Sequence, residues 1–124
     1  MRITRIYADE HGGSRFGELE IALHDAGQIG RLSDPIPAGS VIFRANPPEY
    51  DYDWHTAPQR QFIVLLDGEI EIEVSSGEPR KRIFHGGDVL LMEDTAGRGH
   101  RTRNIQPRER RSVFIVLADQ AQNT

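Results

Sequence analysis

Two short segments of this 124-residue chain carry side chains that could act together chemically. His55 and Gln61 lie on the first segment, and His100 and Asn104 lie on the second. Imidazole is the commonest metal ligand and titrates near neutral pH, and the chain has no cysteine to offer instead. His55, Gln61 and His100 are therefore candidates for one polar site, with Asn104 in it or just behind it.

The residues before His55 suggest how its ring could be oriented. Strand alternation places Asp53 on the same face as His55. Asp53 is thus predicted to hold the imidazole, as carboxylates behind metal-bound histidines do. The same alternation turns Tyr50, Tyr52 and Trp54 to the opposite face, away from the pocket.

The turn before His100 offers further candidates. Glu93 and Asp94 are predicted to lie at the pocket or to support it, and either carboxylate could supply an oxygen ligand to a metal. Arg98 lies two residues before His100, so strand alternation would place both on the same face. If Arg98 reaches the pocket, it would bind a carboxylate or phosphate through paired N–H groups. Residues 80–111 hold nine of the fifteen basic side chains. The alternative, which we favour, is that these arginines pair with acidic strands across a sheet.

Short β-strands must position these residues. Residues 69–74 alternate Glu with Ile or Val, and residues 62–66 and 112–118 are apolar on both faces. No stretch has helical periodicity, and about eight to ten strands with close turns favour an all-β sandwich or barrel. We predict one domain over 1–124, with a core at about 38–118, N-terminal strands at 1–37 and a flexible tail at 119–124.

The spacing of the first segment resembles the first motif of the cupin family. His55 takes the place of the first histidine and Gly68 that of the closing glycine. Ala57 stands where the family has its second histidine, and Gln61 stands where it has a glutamate.

The second segment resembles the second cupin motif. Gly87 opens it, Gly97 precedes His100 by three residues, and Asn104 follows His100 by four. Residues 93–96 replace the usual proline turn. The resemblance implies a double-stranded β-helix, or jelly-roll cupin barrel, with a cluster of three histidines and one glutamate in its mouth.

The family's cluster holds a divalent transition metal, and here its ligands reduce to three. The resemblance therefore leaves two alternatives open. A metal (Fe, Mn, Ni or Zn) binds to His55, Gln61 and His100, or these side chains line a metal-free polar pocket.

Four functions follow from these alternatives. We favour a small cupin that binds a small polar or anionic organic molecule in its pocket. The runner-up is a metal-dependent dioxygenase or isomerase that uses His55, Gln61 and His100. A metal-free isomerase or epimerase with a histidine base would need a tyrosine or second acid in the pocket. The last is an interaction subunit with a vestigial pocket, and whether the chain is an enzyme stays open.

Composition limits the partners and the location. A net charge of −4 gives no general attraction to nucleic acid or to anionic membranes. No apolar run reaches the roughly 18 residues of a membrane helix, and the N-terminus has no signal-peptide core. We expect a cytoplasmic protein, and the strands that are apolar on both faces, with the family analogy, predict a homodimer.

Overall fold

The computed structural model describes residues 1–118, so the predicted tail at 119–124 lies outside the described residues. Within 1–118 the regular structure is β, except for one 3₁₀ turn at Gly27–Ile29, which confirms the predicted fold class. The strands are β1 (Arg2–Ala8), β2 (Ser14–Glu20), β3 (His24–Asp25), β4 (Arg31–Leu32), β5 (Ala38–Asn46), β6 (Asp51–His55), β7 (Gln61–Leu65), β8 (Glu69–Val74), β9 (Lys81–His85), β10 (Val89–Met92), β11 (His100–Asn104) and β12 (Arg110–Leu117).

Two sheets pack against each other as a jelly roll. The larger has the strand order β2-β1-β10-β7-β12-β5, the smaller has the order β6-β11-β8-β9, and β3 with β4 forms a separate ribbon. Within residues 1–118 no strand pairing joins the six-stranded and the four-stranded sheet into a closed barrel. The predicted alternation of β8 is confirmed, because its Ile and Val side chains are buried and its Glu side chains are not.

The core lies between the two sheets and is built from both. The larger sheet contributes Ile6, Leu65, Leu90 and Met92, and the smaller contributes Ile70, Ile72, Val74 and Phe84. β7 lies in the interior of the larger sheet, between β10 and β12. A second apolar cluster contains Ile3, Leu91 and Leu117 and is separate from this core. With apolar side chains in both clusters, the larger sheet is apolar on both of its faces.

A register shift between β6 and β11 decides which side chains face the core. His55 pairs with His100, but Tyr52 pairs with Thr102, so three steps along β6 correspond to two along β11. A bulge of this kind reverses the alternation of the strand that carries the extra residue. Tyr52 therefore lies on the same side as His55. The predicted orientation of Tyr50 and Tyr52 is wrong, since both line the cavity described next.

No helix within residues 1–118 is long and apolar enough to cross a membrane.

Candidate functional site

A cavity of about 260 Å³ lies between the two sheets. Apolar side chains form most of its walls: Ile63, Leu65, Ile70, Ile72, Leu90, Met92 and Phe114. His55, Gln61 and His100 contribute polar groups to it, so the structure brings together the three residues predicted to share a pocket. Arg44 and Arg110 also line it, although the sequence analysis did not single them out.

The two histidine rings are in contact. Their centroids are 4.4 Å apart with the planes inclined at 57°, and the Tyr52 ring stacks on His55 at 3.9 Å. His55 Nδ1 lies 2.7 Å from the carbonyl oxygen of Asp53, which can only accept, so Nδ1 donates and Nε2 is the acceptor nitrogen of the neutral ring. The Asp53 backbone thus occupies the place predicted for its carboxylate, which is on an exposed residue. Burial, reinforced by His100, lowers the pKa of His55, so its ring is mainly neutral at pH 7.

His100 is held from behind by a buried carboxylate. Its Nδ1 is 2.6 Å from Oδ2 of Asp94, and the Ser14 hydroxyl donates to the same oxygen at 2.6 Å. We assign this oxygen as the acceptor of both hydrogen bonds, so the proton lies on Nδ1, and Nε2 is the ring nitrogen of His100 that does not face Asp94. Asp94 is completely buried and does not line the cavity. Of the two roles predicted for Asp94, it therefore has the supporting one. It orients His100 and does not form part of the cavity wall.

The other two predicted residues of this turn lie outside the cavity. Glu93 accepts from Arg5 at 2.7 Å and from Arg60 at 2.8 Å, so its carboxylate is already paired. Arg98 is exposed and donates to the backbone carbonyl of His11 at 3.2 Å. Neither residue lines the cavity, so the structure does not bring them to the two histidines.

The two arginines of β11 pair with acidic residues across the sheet, as the favoured alternative predicted. Arg103 pairs with Glu71 at 3.0 Å, and Arg101 lies 4.0 Å from Glu73, each opposite its partner on β8. These arginines lie on the outer face of the smaller sheet, where their contribution is an exposed charge network.

Arg110 is the most unusual side chain of the cavity. It is 1% exposed, and its Nη1 and Nη2 atoms have no hydrogen-bond partner among residues 1–118. Its Nε donates to Oδ1 of Asn104 at 3.0 Å. Asn104 is itself fixed, because its Nδ2 donates to the carbonyl oxygens of Pro47 and Arg108. Asn104 therefore acts by orienting Arg110, a role that its motif position did not suggest.

Arg44 brings a second guanidinium close to the first. Its Cζ lies 4.5 Å from the Phe114 ring centroid and 5.4 Å from that of Tyr50, and the Cζ of Arg110 lies 5.6 Å from the same Tyr50 ring. Burial, with the nearby charge of Arg44, lowers the pKa of Arg110 to about 10, so it stays protonated at neutral pH. The local packing also depends on Gly68, because a side chain there would meet Arg110 Cγ at 3.0 Å.

Sequence reasoning missed these arginines and Ser14 for different reasons. Arg110 follows charged residues that suggest a solvated turn, although its alternation with the buried Ser112 along β12 was a usable signal. Ser14 lies 80 residues before Asp94, and no local pattern connects them.

The donor set fits an anion better than a resident divalent metal. Two imidazoles and an amide remain from the four family ligands, and no Asp or Glu among the described residues lines the cavity. No three His, Cys, Asp or Glu side chains of residues 1–118 form a group that could hold a metal ion. Two guanidiniums share the space and would repel a cation. We therefore derive no chemistry through a metal.

Comparison of the sequence with known proteins gives a partial match. No protein-family model matches the sequence. The chain is 33% identical over 84 residues to oryzines biosynthesis cluster protein J of Aspergillus oryzae. That match covers 66% of this chain but only 44% of the length of the relative.

Solved structures resemble the chain over most of its length. An RmlC-like cupin family protein with a double-stranded β-helix fold from Methanocaldococcus jannaschii has a TM-score of 0.51 at 10% identity, covering 87% of this chain and 100% of its own. The cupin domain of Schizosaccharomyces pombe Cnp3 has a TM-score of 0.53 at 14% identity, covering 98% of this chain and 87% of its own. At these identities the likeness concerns the fold. The chain therefore has the double-stranded β-helix fold of the cupin superfamily.

Proposed function

We propose that this protein binds a small organic anion in the cavity between its sheets, with Arg110 as the principal ligand-binding residue. The observation that carries the proposal is a buried guanidinium whose two terminal nitrogens have no hydrogen-bond partner among residues 1–118. An unpaired buried charge costs several kcal/mol, by order of magnitude, unless something compensates it. A carboxylate or similar anion would supply that compensation through two parallel N–H···O bonds.

The surroundings of Arg110 favour a bound anionic ligand over an acidic side chain of the protein as its partner. None of the described residues that line the cavity is acidic, and Arg44 adds a second positive charge. Asn104 holds Arg110 by Nε alone, which leaves both Nη groups for a ligand. Such orientation before binding lowers the entropic cost of recognition.

The cavity walls indicate the character of the rest of the ligand, beyond its negative charge. Apolar side chains from both sheets line the space, so the ligand has an apolar body of modest size. Inorganic anions would leave these walls without a partner, and we expect them to bind weakly.

A thermal-shift screen tests this proposal. Small organic acids are expected to raise the unfolding midpoint of the wild type, while amines of similar shape are not. The effect should disappear in Arg110→Met and persist in Arg111→Met, whose side chain is exposed and paired with Asp67 at 2.8 Å. Stabilisation by acids that is equal in both variants would contradict the role of Arg110.

A second candidate is proton transfer without a metal, which the contacts of His100 favour. Asp94 and Ser14 hold this ring with Nε2 facing away from Asp94, as expected for a general base, and Tyr52 lies against the neighbouring His55. Transfer of solvent deuterium to a carbon of a bound acid, lost in His100→Gln, would support this function. Exchange at the same rate in that variant would exclude His100 as the base.

A further inference from the structure

Resting on the proposed function, we infer that the ligand is a bifunctional carboxylic acid. Its carboxylate binds Arg110, and its other end carries a hydrogen-bond donor, such as a hydroxyl or amide N–H, that reaches His55 and His100. An apolar segment joins the two ends. The class follows from the position, spacing and hydrogen-bonding character of the two polar ends of the cavity.

Strand β11 sets the distance between the two ends. His100, Thr102 and Asn104 lie on one face of this strand, and both His100 and Thr102 line the cavity. Four residues of extended chain put the Cα atoms of His100 and Asn104 about 13 Å apart. The Arg110 guanidinium is bonded to Asn104, so its charge lies toward the far end from the histidines.

The space between these ends favours an apolar spacer. Ile72 of the smaller sheet and Leu90 and Met92 of the larger sheet line it, and all three belong to the buried core. A ligand that carried charge along its whole length would have to desolvate that charge against these side chains without compensation. The polar groups of the ligand are therefore confined to its two ends.

The histidine end selects a donor. Nδ1 of His55 donates to the Asp53 carbonyl, and Nδ1 of His100 donates to Asp94. In their neutral forms the two rings therefore present only Nε2 lone pairs to a ligand. A hydroxyl or N–H group could donate to these nitrogens, whereas a second carboxylate could accept a hydrogen bond from neither ring and should bind less well there.

Calorimetric titration with three matched series of probes tests the inference. The series are alkanoic acids, ω-hydroxy acids and α,ω-dicarboxylic acids of four, six and eight carbons. At the best length, the ω-hydroxy acid is expected to bind about fivefold more tightly than the alkanoic acid, as one net hydrogen bond would give. The dicarboxylic acid is expected to bind more weakly than either.

Two variants locate the selecting group. His100→Phe removes one acceptor, but it also leaves the buried Asp94 without its histidine partner. His55→Phe is therefore measured as well, because it removes an acceptor without disturbing Asp94. The advantage of the hydroxyl is expected to fall in both. An ω-hydroxy acid that is no better than the alkanoic acid at any length, or an advantage that persists in His55→Phe, would overturn the inference.

The failure of the proposed function would look different. Alkanoic acids that bind through Arg110, with no gain from the hydroxyl, would overturn the bifunctional ligand alone. Acids that bind Arg110→Met as tightly as the wild type, or that bind neither protein, would overturn the anion site and the inference together.

Discussion

Replacing Arg110 by methionine should separate stability from binding. Methionine keeps the length and apolar stem of the side chain but removes the charge and the unpartnered nitrogens. Because Nη1 and Nη2 of this buried charge have no hydrogen-bond partner among residues 1–118, its removal should stabilise the free protein. Since the same charge is proposed to hold the ligand, its removal should abolish tight binding. Opposite signs in two assays are the distinctive outcome.

The size of the stability effect follows from the contacts of Arg110. The depression of its pKa to about 10 corresponds to roughly 3 kcal/mol against the charged form. The variant loses one hydrogen bond to Asn104, worth about 1 kcal/mol, and the contact with the Tyr50 ring, worth roughly 0.5–1 kcal/mol. The net gain is about 1 kcal/mol, or roughly 3–6 °C in the unfolding midpoint.

The expected loss of binding is larger. Truncating one partner of a buried, hydrogen-bonded charge pair costs about 2–5 kcal/mol, which weakens a carboxylate ligand roughly 30-fold to several thousand-fold. Urea unfolding of ligand-free protein measures the first effect, and calorimetric titration measures the second.

Arg111→Met is the matched control for both assays. Arg111 is the next residue of β12, but it is exposed and pairs with Asp67. We expect almost no change in its unfolding curve and none in binding. If Arg110→Met instead lost several kcal/mol of stability, in the way an ordinary core truncation does, Arg110 would have a compensating structural role. The argument for a missing anion would then be refuted.

Four further predictions concern other parts of the molecule. Ser14→Ala should lower the free energy of unfolding by about 1–3 kcal/mol, because buried Asp94 loses a donor; urea unfolding unchanged from the wild type would contradict that contact. Because the pKa of His55 is lowered in the folded state, the folding stability it contributes is fully present above its unfolded value near 6.5. The free energy of unfolding should therefore fall as the pH drops from about 6.5 to the pKa of His55 in the folded protein. If His55→Phe had the same pH profile of stability as the wild type, this prediction would be contradicted. β5 is an edge strand with no charged residue in 38–43, and its Phe43 is 78% exposed. We therefore expect β5 to pair with a second copy of the chain. Light scattering should give a dimer that Phe43→Lys converts to a monomer, and a monomeric wild type at micromolar concentration would be the contrary result. Metal analysis of untagged protein should give far less than one equivalent of Fe, Mn, Ni or Zn, and a full equivalent that is lost in His100→Ala would restore the metal-dependent alternative.

The parts of the fold that were predictable rest on local patterns. The alternation of β8 depends on neighbouring residues, and the structure confirms it. His55 and His100 were brought together correctly, because motif spacing fixes which strand ends meet.

The parts that were not predictable depend on long-range packing. The register shift between β6 and β11 turned Tyr52 toward the cavity and placed the Asp53 carbonyl, not its carboxylate, against His55. The pairing of Ser14 with Asp94 joins residues far apart in sequence. Arg110 resembles a surface residue until the hairpin around Gly68 and the strands beside it enclose it.

The most direct test of the central claim compares three eight-carbon probes whose head groups are negative, neutral and positive. Octanoate, octan-1-ol and octylammonium are titrated into the wild type and into Arg110→Met by calorimetry. The account predicts that octanoate alone binds the wild type tightly and that Arg110→Met loses this preference. Equal affinity for the three probes, or a preference for octanoate that survives in Arg110→Met, would contradict an anion site at Arg110.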